Sequence, residues 1–429
     1  MVITTTLRNV KETGYPFRIQ VYRLLSRNVM SLGLSDLAMV SSTMISYPLA
    51  RLFRNSTGIF QWRKGGFWLQ SIYQAGWLAL WTQWPFVLQW TWTAQVFFAL
   101  HTMTFLMKMH SYAFYNGHLG ETERRLRSLD KPENANLAAA VKYPSSPARM
   151  SPLDDSDESV EEKLEKEERL DQLRQDLAQE LISHTGQVTF PQNLTLWNYC
   201  DFILCPTLCY ELEYPRTPHI RWLELFWKTL AVFGCIFLMT VVSEEFITPV
   251  LDDAAIRLKL VSTSPDVALI LAESVSMLLF PFMITFLLVF LVIWEYTLGA
   301  FAEITCFADR HFYSDWWNSM DWLEFSREWN IPVYHFLRRH VYFASRAYMS
   351  APLATVMTFL VSAIGHELIL GCITKKLRGY SFFALLLQLP IVVIQRSRFI
   401  RGRWVFNNAC FWTSMVLGTS GICSLYVLL

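Results

Sequence analysis

The sequence predicts an all-α, polytopic transmembrane helix bundle, on three observations. Of 429 residues, 53% are hydrophobic and only 17% are charged, against about 25% charged in ordinary soluble domains. Mean hydropathy is positive, at +0.25. The apolar residues gather into about eight runs near the ~20 residues with which a helix crosses a ~30 Å hydrocarbon core. This composition excludes a disordered chain, a collagen-like chain and a soluble globule. Formal net charge is +1, from 37 basic and 36 acidic residues. No global field therefore draws nucleic acid, and none is expected as a partner.

The basic N-terminal segment, 1–28, carries Arg8, Lys11, Arg18, Arg23 and Arg27 without the apolar core of a signal peptide, so targeting falls to internal spans. N-terminal transmembrane helices are expected within 29–114. The run 29–50 is interrupted by Asp36 and Pro48, while 67–90 and 92–114 are rich in Trp and Phe. Between them, Trp84-Pro85 to Trp92 reads as an interfacial aromatic turn. A polar region, 115–220, follows. In it Leu170, Leu173, Leu177 and Leu181 recur at helical spacing among charges. This reads as a solvated acidic helix or linker, with a partner-binding helix as the sharper alternative. Ser145 to Asp157 reads as disordered. The remaining spans, 222–247, 267–301, 351–373, 379–396 and 404–428, form a core over 221–429 that encloses a polar stretch, 302–350. The eight cysteines form no C-x-x-C pair. They read as small apolar filling, and no metal site is expected.

Orientation follows from Lys and Arg in the loops. Arg51, Arg54, Arg63 and Lys64, then Arg310, Arg327, Arg338, Arg339 and Arg346, then Arg396, Arg398, Arg401 and Arg403 all fall on the face of the 115–220 region. That face is read as cytosolic. Lys375, Lys376, Arg378 and the basic N-terminus break the rule. An extra span before residue 1 would make the N-terminal residues a connecting loop and keep the other spans as drawn, so one N-terminal span reads as missing. The sequons at Asn55 and Asn193 fall on the cytosolic face, and neither is expected to carry a glycan.

An ionisable residue inside an apolar span is a functional candidate. His366 sits in TVMTFLVSAIGHELILGCI, followed by Glu367. Neighbours on a helix point about 100° apart, so the two cannot face one small site squarely, whereas Ser362 and His366 share a face. That pairing suggests a proton-transfer group with a positioning hydroxyl, and desolvation would keep the imidazole neutral and basic. The bland alternative is a satisfied core histidine. A second candidate is FADRHFYSDWWNSMDWLEFSREWNIP, where Asp309, Arg310, Asp315 and Asn318 lie among aromatics. An interfacial amphipathic segment explains the aromatics, but polar groups there are costly unless hydrogen-bonded, which favours a fixed site. A third, FILCPTLCYELEYPRTPHIRW, reads as an extended elbow against the bundle. Glu244, Glu245, Glu273 and Glu295 read as structural hydrogen-bonding groups.

The segment FYSDWWN resembles the FYxDWWN signature of membrane-bound O-acyltransferases that make sterol esters and triacylglycerol, and His366 resembles that family's catalytic histidine. MKMHSYAFYNGHL (107–119) looks like the sterol O-acyltransferase branch. PTLCYELEYPRT is shared with the diacylglycerol branch. NIPVYHFLRRHVY and LQLPIVVIQRSRFIRGR…NACFW look most like the fungal sterol enzymes. The resemblance covers about residue 60 to 429. Members usually carry a longer N-terminal region and about nine spans, and the animal members' C-terminal disulfide has no counterpart here.

The resemblance implies a multi-pass protein of the endoplasmic reticulum membrane that transfers a long-chain acyl group from acyl-CoA to a sterol 3-hydroxyl. Acyl-CoA is then a substrate, and no cofactor is implied. His366 is implied as general base and Asn318 as the second catalytic residue. Tyr313, Asp315, Trp316, Trp317, Ser362 and Glu367 are implied in substrate binding. A homo-oligomer, dimer or tetramer, is also implied. Diacylglycerol is the alternative acceptor. A transporter or channel would explain intramembrane His and Glu without chemistry, but no inverted repeat or broken helix pair supports it. An inactive scaffold is opposed by intact His366 and Asn318.

Overall fold

The computed structural model describes residues 2–15, 27–129, 143, 160–398, 400 and 402–428. The segment 145–157, expected to be disordered, lies outside them, as do Arg18, Arg23 and Arg401. Among the described residues there is no strand, only the isolated bridges Ile182↔Thr189 and Arg216↔Phe307. The helices are α1 (Val2–Thr13), α2 (Val29–Thr43), α3 (Ser46–Asn55), α4 (Phe67–Val87), α5 (Trp92–Ser128), α6 (Val160–Glu180), α7 (Leu196–Leu204), α8 (Trp222–Val242), α9 (Thr248–Leu260), α10 (Ser264–Phe290), α11 (Leu298–Ile304), α12 (Trp322–Glu328), α13 (Ile331–Leu337), α14 (Phe343–Arg346), α15 (Ala351–Thr374), α16 (Tyr380–Gln395) and α17 (Trp404–Leu428).

All eight predicted apolar runs are helical, but among the described residues five stretches are long and apolar enough to cross a membrane: Val29–Asn55, Trp222–Leu260, Ser264–Ile304, Ala351–Thr374 and Trp404–Leu428. The expected count of about eight is not reached on that criterion. The 16-residue α16 is too short, and α4 and α5 are interspersed with Gln, His, Tyr and Lys. Val29–Asn55, Trp222–Leu260 and Ser264–Ile304 are longer than the predicted runs. The last two pass through the π-helical segments Ser243–Ile247 and Leu291–Thr297. At 1.5 Å per residue the 41 residues of Ser264–Ile304 span about 60 Å, twice a bilayer core, so an end must project beyond it.

α5 is continuous for 37 residues, so the first part of the 115–220 region extends the span before it. The leucine stripe of α6 does not wait for another protein. Leu173 and Leu177 bury against Leu129 at the end of α5, each contributing about 1.5–3 kcal/mol of apolar burial. Glu180 then accepts from His118 Nε2 and the Tyr143 N–H, both at 2.9 Å.

The MKMHSYAFYN stretch on α5 is largely buried and fixes what surrounds it. Lys108 Nζ donates to the Phe202 and Cys205 carbonyls at 2.9 and 2.6 Å, closing the exposed end of α7. Ser111 Oγ accepts from the Tyr210 N–H at 2.8 Å and lies 2.9 Å from His340 Nε2. The other ring nitrogen of His340 meets Tyr143 OH at 3.1 Å. Burial, with His110 and Arg339 nearby, pushes His340 down to about 2, so it stays neutral at any physiological pH. At Gly117 a Cβ would lie 2.3 Å from the Trp62 ring, so the helix approaches that indole only through glycine. Asn193 is buried and donates to Asn116 Oδ1 and Tyr210 OH, a position that cannot carry a glycan in the folded chain.

Candidate active site

The elbow and the FYSDWWN loop are zipped together at their bases. The Thr217 N–H donates to the Cys306 carbonyl at 2.7 Å, and Ala308 N–H to the Pro215 carbonyl at 2.9 Å. Glu303, fully buried at the end of α11, receives the guanidinium groups of both Arg221 and Arg310. Arg339, from the π-helical segment 338–342, pairs with Glu211 and donates to the Tyr210 carbonyl. A cavity of about 1130 Å³ lies against this joint, lined in part by Glu211, Tyr214, His311, Phe312, Arg338 and Arg339. Of the residues singled out in the second candidate segment, Asp309 lines it, with Phe307, His311 and Phe312 beside it; Tyr313, Asp315, Trp316, Trp317, Asn318, Ser362, His366 and Glu367 do not.

The loop alternates between this cavity and the bundle. Tyr313, next to Phe312, donates its hydroxyl to Glu295 Oε2 at 2.9 Å, and Lys228 Nζ donates to Glu295 Oε1 at 3.0 Å. Burial and the Glu295 charge together push Tyr313 up to about 12. Its hydroxyl is thus engaged in the protein rather than presented to a substrate. Glu295 takes the structural role expected of it. Lys228→Met is expected to lower stability by about 1–2 kcal/mol by stranding the carboxylate. That is below the 3–5 of a fully buried pair because Glu295 is part-exposed. Lys228→Met with Glu295→Leu should recover most of the loss. Thermal unfolding in detergent checks this, and a double variant no better than the single would rule out the pair.

Trp316 is 1% exposed. Its ring lies 5.2 Å from Trp329, 5.3 Å from Phe290 and 5.9 Å from Trp412. It is the core of an aromatic cluster, with no face left for a substrate. Asp315, Trp317 and Asn318 are exposed. The single-turn 3₁₀ helix Trp316–Asn318 closes through the Asn318 N–H on the Asp315 carbonyl at 2.9 Å.

His366 lies on α15, with its ring exposed on the protein surface rather than packed inside it. Its Nδ1 is 2.8 Å from the Ser362 carbonyl. A carbonyl only accepts, so Nδ1 carries the proton and Nε2 keeps the lone pair when the ring is neutral. Ser362 holds the ring through its backbone, where the sequence suggested its hydroxyl.

Glu367 faces elsewhere. Its carboxylate accepts from the Arg378, Gly379 and Phe382 N–H groups at 3.1, 2.6 and 3.3 Å, and from Tyr426 OH at 2.7 Å. Gly379, at φ +79°, opens α16 without a side-chain cap of its own. Glu367 takes the Gly379 and Phe382 N–H groups at the start of α16, Tyr426 OH takes that of Ser381, and together they join α15, α16 and α17. The Glu367 carboxylate oxygens are engaged by these groups and not by the His366 ring. His366 and Asn318 come from different elements, and no hydrogen bond joins them.

Long apolar helices, a histidine with an available Nε2 on one of them and a polar loop fixed in the bundle are parts that fit a membrane acyltransferase. Residues 68–428 match the membrane-bound O-acyltransferase (MBOAT) family, and the chain belongs to it. It is an acyl-CoA-dependent O-acyltransferase of the membrane. The whole chain is 37% identical to the probable sterol O-acyltransferase 2 of Schizosaccharomyces pombe, covering 84% of that protein. Over 95% of the chain it is 34% identical to sterol O-acyltransferase 2 of Candida albicans, covering 69% of it. A diacylglycerol O-acyltransferase 1 of Dictyostelium discoideum is 33% identical over only 57% of the chain.

Proposed function

We propose that this chain transfers a long-chain acyl group from acyl-CoA to the 3-hydroxyl of a membrane sterol. The observation that carries this reading is the likeness to sterol O-acyltransferases over nearly the whole chain, where the diacylglycerol enzyme matches little more than half. His366 Nε2 takes the hydroxyl proton as the oxygen attacks the thioester carbonyl. The C–S bond then breaks, and the imidazolium returns the proton to the departing CoA sulfur. Asn318 steadies the carbonyl oxygen as it gains charge. Bound acyl-CoA and sterol, covering the exposed imidazole, keep water from the thioester. Residence in the endoplasmic reticulum and assembly as a dimer or tetramer belong to the same reading and rest on the family resemblance.

The test is acyl transfer in microsomes from cells lacking neutral-lipid synthesis, offered labelled oleoyl-CoA with sterol or with diacylglycerol. Steryl ester is the expected product. Triacylglycerol instead would keep the chemistry and overturn the acceptor.

A further inference from the structure

Asn318 sits on a three-residue turn at the protein surface, a poor platform for a group that must meet a transition state to within a fraction of an ångström. What steadies the turn comes from another helix. Asn408 Nδ2 donates to the Trp317 carbonyl at 3.2 Å and to the Ser319 carbonyl at 3.1 Å, so one amide bridges the two residues that flank Asn318. Its two N–H bonds match two acceptors, and the flipped amide would set oxygen against oxygen. Trp412 Nε1 adds a third bond, again to the Trp317 carbonyl, at 3.0 Å. Asn408 and Trp412 are four apart on α17 and so share a face. Between them Phe411 is fully buried, and the Trp412 ring lies against Trp316. The clamp therefore stands on a regular helix anchored in the core.

We infer that Asn408, assisted by Trp412, is the positioning residue that orients Asn318 for acyl transfer. The inference rests on the role of Asn318 proposed above. Asn408 does not touch the substrate. It holds the Trp317–Asn318 peptide on one side and the Ser319 carbonyl one residue beyond on the other, and so limits the direction in which the Asn318 side chain leaves the backbone. Misplacement of a positioned group by about 1 Å can cost ~10²-fold in rate.

Asn408→Asp keeps the shape and turns both donors into repulsive acceptors. It should lower kcat for steryl ester formation about 10- to 100-fold, with the KM for oleoyl-CoA nearly unchanged. Trp412→Phe keeps a ring and removes one N–H, so about a 5-fold loss is expected, one hydrogen bond's worth. It serves as the second readout should Asn408→Asp accumulate poorly. In an Asn318→Ala background, Asn408→Asp should add almost nothing to the residual rate, because the group it positions is gone. An unrelated folding defect would instead multiply the two losses. Wild-type kcat in Asn408→Asp, or fully multiplicative losses, would overturn the inference while leaving Asn318 in place. Near-normal activity of Asn318→Ala alone would instead remove the reading on which it rests.

Discussion

His366→Ala should lower steryl ester formation by about 10²–10⁴-fold, the usual range for removing a general base. The expectation rests on the ring's geometry. The Ser362 carbonyl holds the proton on Nδ1, which leaves the Nε2 lone pair as the only base the imidazole offers. Because the ring is exposed, alanine opens no cavity in the core, and the protein should accumulate in the membrane as wild type does. Immunoblots of membranes beside the labelled-oleoyl-CoA assay check both halves. Transfer at near-normal rate would remove His366 from the mechanism. Ser362→Ala separates carbonyl from hydroxyl. The anchor survives it, so any loss should appear in the KM for acyl-CoA rather than in kcat.

Asn318→Ala should cost about 10²–10³-fold in kcat, the scale for one donor to a developing oxyanion, while acyl-CoA remains bound. Its side chain is exposed at the end of a turn whose backbone is held independently by Asp315, Asn408 and Trp412. The substitution should therefore leave the loop in place. Binding of a non-hydrolysable acyl-CoA analogue to the detergent-solubilised variant, set beside its rate, separates the two roles. A variant that fails only to bind would make Asn318 a substrate-holding residue.

The same structure explains why motifs that travel together in the sequence do different work. MKMHSYAFYN, within the stretch that points to the sterol branch, is largely buried and holds the elbow through Lys108 and Ser111. Its tie to acceptor choice therefore runs through the shape of what it supports. The elbow in turn grips the base of the FYSDWWN loop, and the Lys228–Glu295–Tyr313 chain holds its middle. Three separate stretches of sequence thus converge on one seven-residue loop.

The positions of the helices were legible from apolar run length alone, because burying or inserting a helix demands a continuous apolar surface whatever its neighbours are. His366 was legible for the converse reason: an imidazole in such a run is costly and needs an explanation. The sequence also told His366 and Glu367 apart, since adjacent helical residues cannot share a face. It could not assign Glu367 to the N-terminus of α16, because that depends on where the chain turns at Gly379. Nor could it tell that Trp316 is core while Trp317 is exposed, since a single 3₁₀ turn has no repeat from which to read a face. Asn408 and Trp412 carried only a weak signal, a polar residue four before a tryptophan within an apolar span. A hydrogen bond from Asn408 to residues about ninety positions away exists only once α17 has packed beside the loop. Local chemistry and periodicity determine which groups are available. Only the tertiary structure decides which of them meet, because the partner of a buried polar atom is set by packing between helices and not by distance along the chain.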